Sequence, residues 1–214
     1  LFPKMRFRFS TSNPQDMHEE VLHVIAKHHN ICNYIHLPVQ SGSTRILKEM
    51  NRQHTREEYM ALIDKIYAII PDISLSQDMI AGFPTETEAD HQDTLSLMEY
   101  VKYDFGFMFA YSERPGTKAL EIKPVIPVDE RKHRTQRLIA LSDRKTEDFY
   151  RQNLGTVHEV LFEEQKDKKT ISGFTDNYIR VETDYLEELE NRIILVNLEN
   201  ILPNGNVWGT VIKA

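Results

Sequence analysis

The sequence predicts an α/β unit over residues 1–154 followed by a small all-β, OB-like unit over residues 155–214. Three observations carry this reading. Strand-like runs alternate with helix-like segments up to about residue 112, the order produced by parallel strands joined through right-handed crossovers. A polar helical stretch from Asp129 to about Asn153 then closes the first unit. From Gly155 onward the chain becomes β-branched and alternating, with turn signals between runs.

The strand-like runs of the first unit are Met5–Thr11, Asn33–Gln40, Ile73–Gly82 and Phe105–Ser112. Asn13 is a plausible cap with Pro14 at the first helical position, ahead of a stripe of Met17, Val21, Val24, Ile25 and His28. Thr55-Arg-Glu-Glu58 reads as a capping box before Tyr59, Leu62, Ile63, Ile66 and Ile70. Thr87-Glu-Ala-Asp90 opens a further helix carrying Leu95, Met98 and Val101. The Asp129–Asn153 stretch shows few apolar positions (Leu138, Leu141, Phe149), which predicts a surface helix. Beyond it, Thr156–Glu163, Thr170–Thr183, Arg192–Asn200 and Val207–Ile212 supply about five short strands, with Asn204-Gly205 as a hairpin turn.

Composition sets limits. A net charge of −7 argues against nonspecific nucleic-acid binding, so any recognition of nucleic acid must be local. One cysteine, Cys32, excludes an intrachain disulfide and any cluster built from several thiolates of this chain. It fits a reducing, cytoplasmic setting, and no run approaches membrane-spanning length. The chain begins with Leu1, so a preceding segment is expected.

The strand faces sort by their period of two. Arg6, Arg8, Ser10 and Ser12 oppose Phe7 and Phe9; His36 and Gln40 oppose Ile35, Leu37 and Val39; Ser74, Ser76 and Asp78 oppose Leu75 and Met79. With helices covering the apolar side, the polar set faces a cavity and requires hydrogen-bonding partners, which a polar ligand entering at the strands' C-terminal ends provides. A sheet with one face in water gives the same alternation. Two loops lie at that end. Asp78-Met-Ile-Ala-Gly-Phe-Pro-Thr-Glu86 offers backbone amides, and Tyr111-Ser-Glu-Arg-Pro-Gly-Thr117 offers Glu113 and Arg114. Either Phe107 and Phe109 or Met108 and Ala110 face the cavity. No nucleophile elbow or acid–base pair suggests a generic hydrolase.

Arg8-Phe-Ser-Thr-Ser-Asn-Pro14, His36-Leu-Pro-Val-Gln-Ser-Gly-Ser43, Met50-Asn-Arg52, the Asp78–Thr87 loop and Tyr111–Thr117 together resemble the radical S-adenosylmethionine methylthiotransferases. The first two motifs are most similar to the branch acting on N6-isopentenyl-adenosine beside the tRNA anticodon; the threonylcarbamoyl-adenosine and ribosomal-protein branches are the alternatives. The resemblance implies the last four strands of a (β/α)6 partial barrel followed by a TRAM domain. It also implies two 4Fe-4S clusters, both ligated outside these residues. In the family one cluster cleaves S-adenosylmethionine to a radical that activates carbon 2 of the adenosine. The other supplies sulfur, and a second S-adenosylmethionine the methyl group. The chain alone is therefore expected to be inactive.

For this chain the resemblance, joined to the strand faces, implies S-adenosylmethionine contact by Ser10, Ser12, Gln40, Asp78, Ile80 and Gly82, with Arg8 and His36 lining the same cavity. Tyr111, Glu113 and Arg114 are expected to meet tRNA or close the mouth. Gly155–Leu161, Gly173–Asn177 and Trp208–Ile212 resemble TRAM sequence, except that Phe174 stands where relatives often place an Arg. Lys168, Lys169 and Arg180 are its expected tRNA contacts, and Phe174 or Tyr178 a candidate base-stacking ring. A noncatalytic RNA-binding or scaffold protein is the competing reading. An unpaired Met5–Thr11 edge would favour self-association or disorder near residues 1–12.

Overall fold

Two apolar interiors, one beneath a sheet and one inside a barrel, organise the computed structural model, which describes residues 5–9, 12–102, 106–163 and 169–212. Strands β1 (Tyr34–His36), β2 (Ser74–Ala81) and β3 (Gly106–Ala110) pair in parallel in that order. Ile35, Leu37, Val39, Leu75 and Met79 form the covered face and are fully buried. Above them lie α1 (Glu19–Lys27), α3 (Arg56–Ile69), α4 (Glu88–Tyr100) and α5 (Val128–Asn153), which contribute Leu22, Tyr59, Ile63, Leu97 and Leu138 to the same core. Each such side chain stabilises the fold by about 1.5–3 kcal/mol relative to exposure.

Helix starts follow the capping chemistry in the sequence. Thr55 and Glu58 close a reciprocal box at α3, and Thr87 and Asp90 close one at α4. Ser43 caps the short α2 (Thr44–Glu49) by accepting from the Ile46 N–H. The first helix departs from expectation. Pro14–Asp16 is a 3-10 turn, and α1 begins only at Glu19, so Leu22 and Ile25 form the buried stripe while Val24 is 48% exposed.

The expected strand Met5–Thr11 is a second correction. Phe7 makes an isolated parallel bridge to Ile31, and Ser12 N–H donates to His36 O at 3.0 Å. Phe7 and Phe9 are 42% and 40% exposed, not packed under helices. Alternation specifies a strand only where a neighbour offers a ladder, and here that neighbour is the loop after α1. The expected unpaired edge is thus replaced by an irregular segment, though Ser10 and Thr11 fall outside the described residues. Among the described residues the first unit accordingly shows three strands of sheet, not the expected four. Helix α5 lies on the surface as expected, most of its residues reaching solvent, with Leu138 and Leu141 turned into the core.

The second interior is a closed five-stranded barrel in the order β4-β5-β6-β8-β7. Its strands are β4 (Val157–Phe162), β5 (Thr170–Thr175), β6 (Arg180–Asp184), β7 (Ile193–Ile201) and β8 (Val207–Val211). The β6–β8 pair is parallel and the others are antiparallel. Val160, Phe162, Ile171, Val181, Val196, Leu198 and Val207 fill it. Gly173 permits closure, since a Cβ there would stand 2.2 Å from Leu161 O. The run Thr170–Thr183 is not one strand, because it breaks at Asp176–Ile179, where Tyr178 takes φ +71°. The turn touches the sheet unit: Ser74 Oγ donates to Asn177 O at 2.7 Å and Arg8 Nη2 to Thr175 O at 2.9 Å.

Candidate active site

The face of the sheet turned from the helices carries Tyr34, His36, Ser74, Ser76, Asp78 and Ile80, as the period of two requires. Register places His36 beside Ser76, and Asp78 beside Phe107. Ser76 Oγ lies 2.5 Å from Tyr34 Oη and 2.8 Å from His36 Nδ1. His36 Nε2 is 3.5 Å from Asp78 Oδ1. Tyr34, His36 and Ser76 are buried, whereas the Asp78 side chain keeps 24% of its surface accessible.

Strand β3 settles which residues face this side. Met108 packs into the helix-covered core, so Phe107 and Phe109 share the face of Asp78 and Ile80, 48% and 51% exposed. The Phe107 ring meets His36 edge-on at 6.0 Å. An anionic acceptor, an imidazole and two exposed rings thus converge, a set suited to the hydroxyls and base of a nucleoside. Gln40, at φ +78°, closes the end of the face by bonding Asp78 O and the Ile80 N–H through its backbone.

The loops after β2 and β3 are fixed from below by two buried arginines of α5. Arg131 forks onto Glu113 at 2.6 and 2.9 Å and also donates to Tyr111 O and Ile126 O. Its guanidinium holds the Glu113 carboxyl down at about 2. Gly82, at φ +74°, leaves room for it; a Cβ there would stand 2.4 Å from Arg131 Cγ. Arg134 pairs with buried Glu86 at 2.8 Å, and Glu86 also accepts from the Gly82 N–H. Burial nonetheless pushes the Glu86 carboxyl up, against the pull of Arg134 and that N–H.

The sequence-nominated residues divide accordingly. His36, Asp78, Ile80 and Gln40 come together, with Ser12 joined to them through the His36 carbonyl. Gly82 serves the Arg131 packing instead. Arg8 is drawn to the barrel, over the Tyr34 and Tyr178 rings. Glu113 is engaged by Arg131, Tyr111 rests edge-on against Phe83, and Arg114 is exposed at the mouth. Arg180 donates to Ser172 Oγ and covers the Phe174 ring, and Lys169 is exposed. Ser10 and Lys168 lie outside the described residues. Tyr178 is sandwiched between Tyr34 and Phe174 at 4.5 and 4.6 Å, which leaves it no open face for a base.

Tyr34, Ser76, Phe107, Arg131 and Arg134 were not nominated. Arg131 and Arg134 share the helical face of Leu138 and Leu141, a three-to-four spacing that marks them as inward-facing. A cleft of about 890 Å³ lined by Arg6, His29, Glu159 and Arg192 lies against the barrel, away from this face. Among the described residues no group of His, Cys, Asp and Glu could hold a metal. Cys32 is the sole cysteine and is buried, so this chain does not fit an iron–sulfur cluster.

Residues 1–98 match the family described as the Radical SAM superfamily. A tRNA-2-methylthio-N(6)-dimethylallyladenosine synthase of Flavobacterium johnsoniae is 61% identical over 84% of this chain and 38% of its own length. The protein of that name from Flavobacterium psychrophilum is 63% identical over 79% of this chain and 35% of its own. The chain thus spans little more than a third of the relatives it matches. Among solved structures, Escherichia coli coproporphyrinogen III oxidase, titled a radical SAM enzyme, superposes with a TM-score of 0.54 at 16% identity. That overlay takes in 80% of this chain and 46% of the oxidase, and the likeness is one of fold. Five motifs in order, the match over residues 1–98 and these identities make the chain similar to the radical SAM superfamily and, within it, to the methylthiotransferases.

Proposed function

We propose that this chain is the substrate-facing part of a tRNA methylthiotransferase, which places a 2-methylthio group on N6-dimethylallyl-adenosine next to the anticodon. The observation that carries the reading is the His36–Asp78 face flanked by Phe107, on a chain 61% identical to a relative so named. Asp78 accepts hydrogen bonds from ribose hydroxyls, Phe107 and Phe109 give aromatic surface to the base, and Gln40 and Ile80 close the end of the face. S-adenosylmethionine, when bound, supplies a cleavable sulfonium and the transferred methyl group. The thiolates for both clusters belong to polypeptide outside these residues, so the chain by itself is inactive.

The barrel is read as a TRAM domain beginning near Gly155, with Lys168, Lys169 and Arg180 beside tRNA. Arg114 extends that contact at the mouth, and Arg131 keeps its loop in place. The enzyme is assigned to the cytoplasm; among the described residues no helix is long and apolar enough to cross a membrane.

The test is a chimera. The portion of the Flavobacterium johnsoniae relative that precedes this stretch is joined to residue 1, its clusters are reconstituted, and tRNA nucleosides are analysed by mass spectrometry. The 2-methylthio product is expected, reduced at least tenfold by Asp78→Asn. Unmodified tRNA from a cluster-loaded, folded chimera rejects the assignment.

A further inference from the structure

We infer that Tyr34 and Ser76 form a relay that fixes the tautomer of His36, and that Tyr178 of the barrel holds this relay in position. This rests on the reading of His36 and Asp78 as one ligand-facing pair. The direction of each hydrogen bond follows from a count of protons. The Asp78 carboxylate accepts only, so the His36 nitrogen facing it, Nε2, carries the proton. In the Nε2–H tautomer Nδ1 is an acceptor, and its partner at 2.8 Å is Ser76 Oγ. Ser76 has one hydroxyl proton and gives it to Nδ1. The Tyr34 hydroxyl, 2.5 Å away, therefore donates to Ser76 Oγ. Tyr34, Ser76 and His36 are all buried, so water does not compete for these positions. Reversing one bond would leave two donors or two acceptors facing each other.

The relay ends at the junction with the barrel. The Tyr34 ring stacks on Tyr178 at 4.5 Å with 15° between the planes. Tyr178 holds φ +71°, a region an aromatic residue occupies only when its surroundings over-determine it. Those surroundings are identifiable. Phe174 stacks on its other side, and Arg8 lies over it at 4.4 Å. Ser74 Oγ and Arg8 Nη2 grip the carbonyls of Asn177 and Thr175, and Thr175 Oγ1 accepts from the Ile179 N–H. The strained turn thus presses one ring of the barrel onto the residue that orients the His36 partner. Tyr34, Ser76 and Tyr178 act as positioning residues, and the seating of the barrel becomes a condition for a correctly presented imidazole.

Nitrogen-15 NMR of the His36 ring in the full 214-residue chain tests this directly. The wild type is expected to show the Nε2–H tautomer alone. Tyr34→Phe keeps the stacked ring and removes only the hydroxyl, and Ser76→Ala removes the bridge. Both are expected to shift His36 to a mixture of tautomers without loss of circular-dichroism signal. Tyr178→Ala should shift it the same way, and Tyr178→Phe should restore the wild-type signature. Unchanged His36 nitrogen shifts in folded Tyr34→Phe or Tyr178→Ala overturn the relay. S-adenosylmethionine affinity of the reconstituted chimera carrying Tyr34→Phe is a separate readout. A tautomer shift with unaltered affinity upholds the relay and counts only against the ligand-face reading.

Discussion

His91 shows what a single buried ring does to stability. It sits in α4 with no exposed surface and neither ring nitrogen hydrogen-bonded, and burial pulls its pKa from 6.5 down to about 4. The unfolded chain therefore takes up a proton below pH 6.5 while the folded chain resists until about pH 4. Stability is lost across that window as pH falls, by about 2–3 kcal/mol at its lower end. Urea unfolding at neutral pH and near pH 4.5 should show His91→Leu abolishing most of this acid-induced loss, and an unchanged loss refutes the assignment. Gly82 makes the opposite point about space. Its positive φ and the approach of Arg131 predict that Gly82→Ala destabilises by about 2 kcal/mol in the same assay. Arg131→Ala in the same chain should relieve the Cγ clash while keeping the Cβ approach at 2.9 Å, so the combined loss should fall short of the sum, and additive losses would exclude the Cγ contact.

Elements were legible where local chemistry and tertiary demand agree. The boxes Thr55–Glu58 and Thr87–Asp90 mark the starts of α3 and α4 because side chains answer orphan N–H groups within four residues. The alternation of Asn33–Gln40 and Ile73–Gly82 gave both faces of the sheet because each run has a partner. Met5–Thr11 alternates as well, but among its described residues the one bridge is from Phe7 to Ile31. In α5 the charge of the sequence hid Arg131 and Arg134, whose burial depends on carboxylates contributed by distant loops. Asp90 shows such long-range pairing at a helix start. It caps α4, accepts from Ser43, which caps α2, and pairs with Arg45. Despite the upward push of burial, the bonds from Arg45, Ser43 and Thr87 hold its carboxyl well below the usual range. Its contribution is present above the unfolded value of 3.8 and lost as pH falls below it. Asp90→Ala should therefore cost about 3 kcal/mol at neutral pH, against about 1 kcal/mol for Thr55→Ala. Equal losses by denaturant titration would show that the α2–α4 link carries no extra energy.

At the scale of the molecule, the polar face could be read from the strands, but its relation to the barrel could not. The residues that join the two interiors, Arg6, Arg8, Tyr34, Ser74 and the Thr175–Tyr178 turn, are far apart in sequence, and no period connects them. Their arrangement has a thermodynamic consequence. Among the described residues the sheet core and the barrel core share none, so each has its own stability, coupled through this junction and through α5, whose Leu138 and Leu141 enter the sheet core while Phe149 and Tyr150 pack against the barrel. Arg8 is central to it, bonding Thr175 O while covering Tyr34 and Tyr178. Removing it leaves that carbonyl only the longer bond from the Tyr178 N–H at 3.3 Å and takes the guanidinium off both rings, a loss of about 2 kcal/mol from the junction. The wild-type chain is expected to unfold in one calorimetric transition, and Arg8→Ala in two, with the barrel and sheet melting separately. A single transition in the variant, with calorimetric and van't Hoff enthalpies equal, would locate the coupling elsewhere, in the continuous backbone from α5 into β4.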